Sequence, residues 1–247
     1  MERTSETVTA TSSCVSEEDI RIWFDEVQEY IRENNLEEVM NDPSMIINGD
    51  ETGFRICPST CRVLAEKWAK NVYAIGEGSS KENITVMFSF SANGKKCCLM
   101  IFCPHKRIPE KIAQSVPAER GIARSDRERM TYEIFYEYIA NIFHPFLFSE
   151  GVIFPVVLFV DGHKCHLTYQ LRILCDKLRI EIIALYPNAT SILQPADVAV
   201  FRSVNMYWRK AVRDWHAKHP GEILNKVTFE ILLREVIDFA PKPETLV

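Results

Sequence analysis

The stretch from Ile84 to Cys103, ITVMFSFSANGKKCCLMIFC, constrains the fold more than any other part of this chain. Ile84, Val86, Phe88 and Phe90 alternate with Thr85, Met87 and Ser89. That period of two predicts a half-buried strand. Asn93-Gly94 follows, a dipeptide that closes tight hairpins because both residues tolerate positive φ. Lys96 to Cys103 then reads as the returning strand. An antiparallel hairpin in this place excludes an all-parallel doubly wound sheet.

The other elements arrange themselves around it. From Ser16 to Met40, Ile20, Trp23, Phe24, Val27, Tyr30 and Ile31 recur at helical spacing, and Asn41-Asp42-Pro43 breaks the pattern. Ser44 to Asn48 predicts a short strand ending on Asp50-Glu51. Pro104 to Arg129 is basic and loop-like. Thr131 opens a helix that Pro145 ends or kinks. FPVVLFVDGH holds a buried strand ending on Asp161. Leu167 to Arg179 predicts a helix, IEIIALYP another buried strand, and a long helix follows Asp197. Two strands joined through a helix pair in parallel with a right-handed crossover. The expected architecture is therefore α/β, a mixed five-stranded sheet flanked by helices, with three antiparallel strands first and two parallel strands after.

The organisation along the chain reads as a disordered tail at 1–15, an acidic helical segment at 16–42, a main domain at 43–240 and a tail at 241–247. Net charge is −5, yet it is unevenly spread. Fourteen acids face three arginines up to Glu51, whereas 26 Lys+Arg face 20 Asp+Glu after it. An acidic front thus precedes a mildly basic body. The longest apolar run, Val152 to Val160, is too short to cross a bilayer, and MERTSETVTATSSCV lacks the apolar stretch of a signal peptide. No membrane partner and an intracellular address follow as expectations. The eight cysteines are not spaced as a disulfide framework and read as reduced thiols. Cys57, Cys61, Cys103 and His105 form only a weak zinc pattern.

Three acids fall at the ends of elements: Asp50, Asp161 and Asp197. If the strands before Asp50 and Asp161 are parallel neighbours, both acids leave the sheet on one edge, and the helix near Asp197 crosses it. Two like charges ~4 Å apart repel by about 4 kcal/mol at an effective dielectric near 20. Such a group must hold a proton or a divalent cation. Mg²⁺ and Mn²⁺ prefer oxygen ligands, and two such ions support in-line displacement at phosphorus. Taken singly, each acid also has an ordinary reading: a solvated strand end, an Asp-Gly turn and a helix N-cap.

Four blocks carry a resemblance: NGDETGF, AKNVYAIGEGSSKENITVMFSFSANGK, FVDGHKCHLT and LYPNATSILQPADVAVF. In this order they resemble the transposase catalytic domain of the pogo, Tigger and jerky branch of the Tc1/mariner group. The resemblance runs from about Asn41 to Trp208. It implies a ribonuclease-H-like fold, with Asp50, Asp161 and Asp197 as catalytic metal ligands for two Mg²⁺ or Mn²⁺ ions, DNA as substrate and a nuclear location. Glu51, His163 and Gln194 are the accessory candidates. Glu51 points away from Asp50 if the strand continues, which favours a hydrogen bond or ion pair over ligation. His163 and His166 flank the site, with local hydrogen bonding as the ordinary reading for both.

Lys106, Arg107, Arg202, Arg209 and Arg213 are candidate phosphate contacts; the last three share one helix face by their spacing. Tyr186, Ala196 and Ala199 depart from the family pattern without removing a carboxylate. The acidic stretch before Asp50 holds no basic recognition helix. Sequence-specific binding is therefore expected from a second copy or a protein partner. The other reading is a domesticated or truncated non-catalytic module that binds nucleic acid or protein and lacks the helix-turn-helix domain.

Overall fold

The computed structural model describes residues 15–56, 83–103, 120–125, 130–220, 222 and 224–239. The tail read at 241–247, nearly all of that at 1–15, and Lys106, Arg107, Cys57, Cys61 and His105 lie outside them.

Helix α1, Glu17–Glu33, starts where Ser16 closes a capping box with Asp19, and Glu17, Glu18 and Asp19 favour its positive N-terminal dipole. A short α2, Glu37–Met40, follows. Strand β1, Ile46–Arg55, is the first point at which the fold departs from expectation. The strand does not stop at the acids but runs on for several residues beyond them. Its reason is β2, Asn83–Ser91, which pairs with β1 antiparallel from Ile47 to Arg55 and so supports one edge of it along that whole length.

Strand β3, Lys96–Cys103, returns from β2 through the Asn93-Gly94 turn, where Gly94 takes φ 84°. Strand β4, Arg120–Arg124, pairs parallel with β3 inside the segment expected to be loop. It makes the sheet six-stranded in place of five. A Cβ on Gly121 would sit 1.9 Å from Ile142 Cδ1, so any larger residue there would force the tip of the Ile142 side chain to move.

Helix α3, Tyr132–Tyr138, is capped by the Thr131 hydroxyl and passes through a π turn, Ile139–Phe143, into α4, His144–Ser149. Pro145 has no N–H to give the preceding turn, and the widened turn absorbs the missing bond. Strand β5, Val156–Val160, helix α5, Tyr169–Leu178, and strand β6, Ile180–Ala184, form the expected parallel crossover unit. After α6, Thr190–Leu193, a π turn at Ala196–Val200 leads into α7, Phe201–Lys218. Helix α8, Lys226–Phe239, completes the fold and has no counterpart in the sequence reading.

The sheet order is β4-β3-β2-β1-β5-β6. One face buries Phe54, Phe88 and Phe90 against Val204 and Trp208 of α7 and Phe229 and Leu233 of α8. Trp208 satisfies its indole N–H on the Arg55 carbonyl at 2.8 Å. Over the β5–β6 end, α1 packs Trp23, Val27 and Ile31 on Val157 and Ile183. The Trp23 indole N–H caps the Ala184 carbonyl, and the Tyr30 hydroxyl donates to Glu181. The opposite face buries Ile47, Met87, Met100 and Leu158 under Phe135, Tyr138 and Phe143. Strand β2 is consequently buried on both sides, Met87 and Ser89 included, and not half-buried as its alternation suggested. Layers on both faces of the sheet are the reason.

Candidate active site

Parallel pairing of β1 with β5 covers Ile46 to Asn48 and stops. Asn48 lies opposite Phe159, so continuing the register two places sets Asp50 level with Asp161, where the strands part. The acids stand where β1 loses its β5 partner while keeping β2. Asp50 is buried, Asp161 half-buried and Asp197 exposed, so the group opens from the sheet towards solvent.

Burial pushes the Asp50 carboxyl up to about 8, and the charges of Glu51, Asp197 and Asp161 add to it against one hydrogen bond from the Glu51 amide. Asp197 is raised too: the residue as a whole is exposed, but its carboxyl is partly desolvated by the neighbouring chain, and the charge of Asp161 adds to this. Asp161 goes the other way. Burial is the largest single influence and would raise it, but the hydrogen bond and charge of His166, together with the amide and charge of His163, outweigh it and keep the carboxylate ionised. The three carboxylates are thus within electrostatic reach of one another. Among the described residues, however, no three His, Cys, Asp or Glu side chains meet at metal-ligating distance. The acids are gathered without being closed into a cage. An all-oxygen, partly desolvated set with one member held near neutrality suits a hard divalent cation better than any other group.

His166 organises the flank. It is 2% exposed, its Nδ1 lies 2.7 Å from Asp161 Oδ1, and its Nε2 lies 3.7 Å from Glu51 Oε1. Burial opposes its charge, yet the bond to Asp161, with help from Cys165 and Glu51, holds the imidazolium up to about 12. Strand alternation puts Glu51 on the opposite face from Asp50, where it balances His166. His163 is exposed; its backbone N–H donates to Asp161 Oδ1 at 3.2 Å, and its Nδ1 lies 2.9 Å from Cys165 Sγ. Asp161 therefore has Oδ1 engaged by two donors, while among the described residues no hydrogen bond reaches its other oxygen.

Gln194 is fully buried and bonds to Asn48 and to the Gly49 carbonyl. Asn48 is absent from the sequence-derived candidates. Its signal was its place two residues before Asp50, on the same face of a strand. Arg202, Arg209 and Arg213 are all exposed along α7. Cys97, Cys98, Cys165 and Cys175 are free thiols. Among the described residues no helix is long and apolar enough to cross a membrane.

A family model described as DDE superfamily endonuclease matches residues 81–238. That span is more than half of the chain and includes Asp161 and Asp197, with Asp50 ahead of it. Among solved structures, the Mos1 transposase paired-end complex with left transposon end aligns at TM-score 0.57 and 9% identity, covering 96% of this chain and 64% of that one. The Mos1 strand transfer complex aligns at 0.55 and 10%, covering 100% and 64%. The Mos1 mariner paired end complex with Mn aligns at 0.51 and 11%, covering 96% and 66%. Likeness at this identity is likeness of fold, and it makes the fold of this chain ribonuclease-H-like. The chain spans just under two thirds of the length of these transposase chains.

Proposed function

Because the chain belongs to the DDE superfamily endonucleases, we propose that it is a transposase-derived domain for divalent-metal-dependent phosphoryl transfer on DNA, either cleaving or transferring strands. The observation that carries this reading is Asp50: a buried carboxyl lifted to about 8 beside two further acids, at a register matched to Asp161. Asp50, Asp161 and Asp197 are the residues that would hold two Mg²⁺ or Mn²⁺ ions. Ions of this kind, when bound, activate the attacking oxygen and stabilise the leaving one in an in-line displacement.

The other tasks fall to the chain itself. His166 fixes one oxygen of Asp161 and keeps that carboxylate ionised. Glu51 keeps His166 charged from the other side and stays out of the ligand set. His163, exposed beside Asp161, is placed to meet a phosphate. The arginine face of α7 is the proposed backbone contact, and it suits salt-sensitive, sequence-blind binding. Mos1 has been solved with a transposon end and with Mn, which supports DNA and a divalent ion as partners here. The pogo, Tigger and jerky branch, a nuclear location, and a second copy or protein partner that supplies sequence specificity complete the reading.

Supercoiled plasmid incubated with Mn²⁺ tests it. Nicking by the parent chain, lost in Asp161→Ala, is the expected result. Equal behaviour of the two with DNA retardation intact would overturn catalysis and leave a binding module.

A further inference from the structure

We propose that Asn48 and Gln194 form a positioning clamp that sets the segment bearing Asp197 against the two strands bearing Asp50 and Asp161. What it implies for metal rests on the function proposed above; what it implies for the segment does not. Four hydrogen bonds make the clamp. Asn48 Nδ2 donates to Gln194 Oε1 at 2.6 Å and to the Phe159 carbonyl at 3.1 Å. The Ala196 N–H donates to Asn48 Oδ1 at 3.1 Å, and Gln194 Nε2 donates to the Gly49 carbonyl at 3.4 Å. These bonds join three separate segments, and each segment reaches an acid within two residues. Asn48 precedes Asp50 by two, Phe159 precedes Asp161 by two, and Ala196 immediately precedes Asp197. The clamp repeats the arrangement of the acids one step further into the protein.

Two features argue that this is more than amides satisfying one another in a core. Gln194 is fully buried and Asn48 is 9% exposed. Replacing a buried hydrogen-bonded pair with apolar groups of the same shape is close to neutral for stability, so stability alone gives no reason for two amides here. Geometry does. Asp197 lies in a π turn and not in a strand, so no ladder fixes its register to the sheet. Ala196 and Val200 bury against the core, but apolar contact is non-directional and tolerates sliding. Directional bonds to Asn48 remove that freedom. The β1 backbone they use is itself held tightly: a Cβ on Gly49 would come within 2.9 Å of Met87 Cε and 3.5 Å of Leu158 Cδ1.

The variants are Gln194→Met, which keeps the shape and removes two bonds, and the milder Asn48→Thr, which keeps one acceptor. Each is compared with the parent, with Asp197→Asn and with the double variant Gln194→Met/Asp197→Asn. Two readouts are used: hydrogen exchange over 194–200 without metal, and Mn²⁺ affinity by electron paramagnetic resonance. The clamp predicts faster exchange at 194–200 with β2 and β3 unchanged. It also predicts Mn²⁺ affinity reduced about tenfold or more, the usual scale for groups that orient metal ligands. That loss should vanish in the Asp197→Asn background, because Gln194 acts through Asp197. Unchanged exchange at 194–200 in either folded variant overturns the clamp. So does a metal loss that adds fully to that of Asp197→Asn. If the parent itself takes no Mn²⁺, the proposed function fails, and local exchange alone decides on the clamp.

Discussion

A carboxyl at about 8 makes Asp50 a measurable liability for the metal-free chain. An acid whose folded value lies above its unfolded one favours the folded state below the unfolded value, near 4, and loses that contribution as pH rises towards 8. In EDTA, urea unfolding of the parent should weaken from pH 5 to pH 8, while Asp50→Asn stays flatter and is more stable at pH 8 by about 3 kcal/mol. Mn²⁺ should narrow that gap by stabilising only the parent; a parent no weaker at pH 8 than at pH 5 would contradict the assignment. His166 presents the opposite case. His166→Phe keeps the ring against Phe135 but leaves Asp161 and Glu51 without their shared cation. Breaking a buried pair this way costs about 3–5 kcal/mol, read as a fall in the urea midpoint at pH 7. The three acids stand out in the sequence because each falls at a predicted element end inside a block that carries the family resemblance, Asp50 and Asp161 after strands and Asp197 before a helix. Asn48 does not, since its main partner is 146 residues away and side-chain bonding leaves no periodic trace.

At the scale of elements, β4 and α8 depend on each other. The Arg120 guanidinium lies 2.5 Å from Glu230, with the two side chains 12% and 3% exposed. Burial raises Glu230 even with Arg120 beside it. Removing the arginine should raise it further, so the penalty must grow with pH as the unpaired carboxyl is forced to ionise. Arg120→Met is expected to lose about 3 kcal/mol at pH 8 and clearly less at pH 5 by urea denaturation, with Glu230→Gln in the same background removing the pH dependence. Equal losses at both pH values would mean that the pair is not buried as described. Neither element was read from the sequence, for different reasons. RGIAR has too few apolar residues to show a strand period, and its glycine, which looks like a breaker, sits in the strand against the tip of the Ile142 side chain. Helix α8 does carry a helical spacing in Phe229, Leu232, Leu233, Val236 and Ile237, a signal that was present and left unread. Strand β1 was cut short because its short apolar stretch ends before the acids, whereas the partner that prolongs it, β2, lies far along the chain.

For the whole molecule, the division of charge along the chain becomes a division in space. The acidic α1 covers the β5–β6 end of one sheet face, and α7 covers the β1–β3 part of the same face with Arg202, Arg209 and Arg213 outward. A polyanion is repelled from the first region and drawn to the second, so DNA reaching Asp197 should run along α7 and away from α1. Counterion release gives this a number. Each phosphate neutralised on duplex DNA contributes about −0.9 to the slope of log K against log salt. Changing all three arginines to glutamine should therefore make the slope shallower by about 2 to 3 for a duplex of random sequence, measured by fluorescence anisotropy between low and moderate salt. The thermal midpoint should move by only a few degrees, since these side chains are exposed and outside the buried clusters. A slope unchanged within one unit would move the DNA path off α7. A steeper slope on replacing Glu17 and Glu18 of α1 by glutamine would show DNA lying over the acidic helix, against the orientation argued here. The path matters because it decides from which end of this sheet face DNA would meet the acids: running along α7, it passes the exposed carboxylate of Asp197 before the buried one of Asp50.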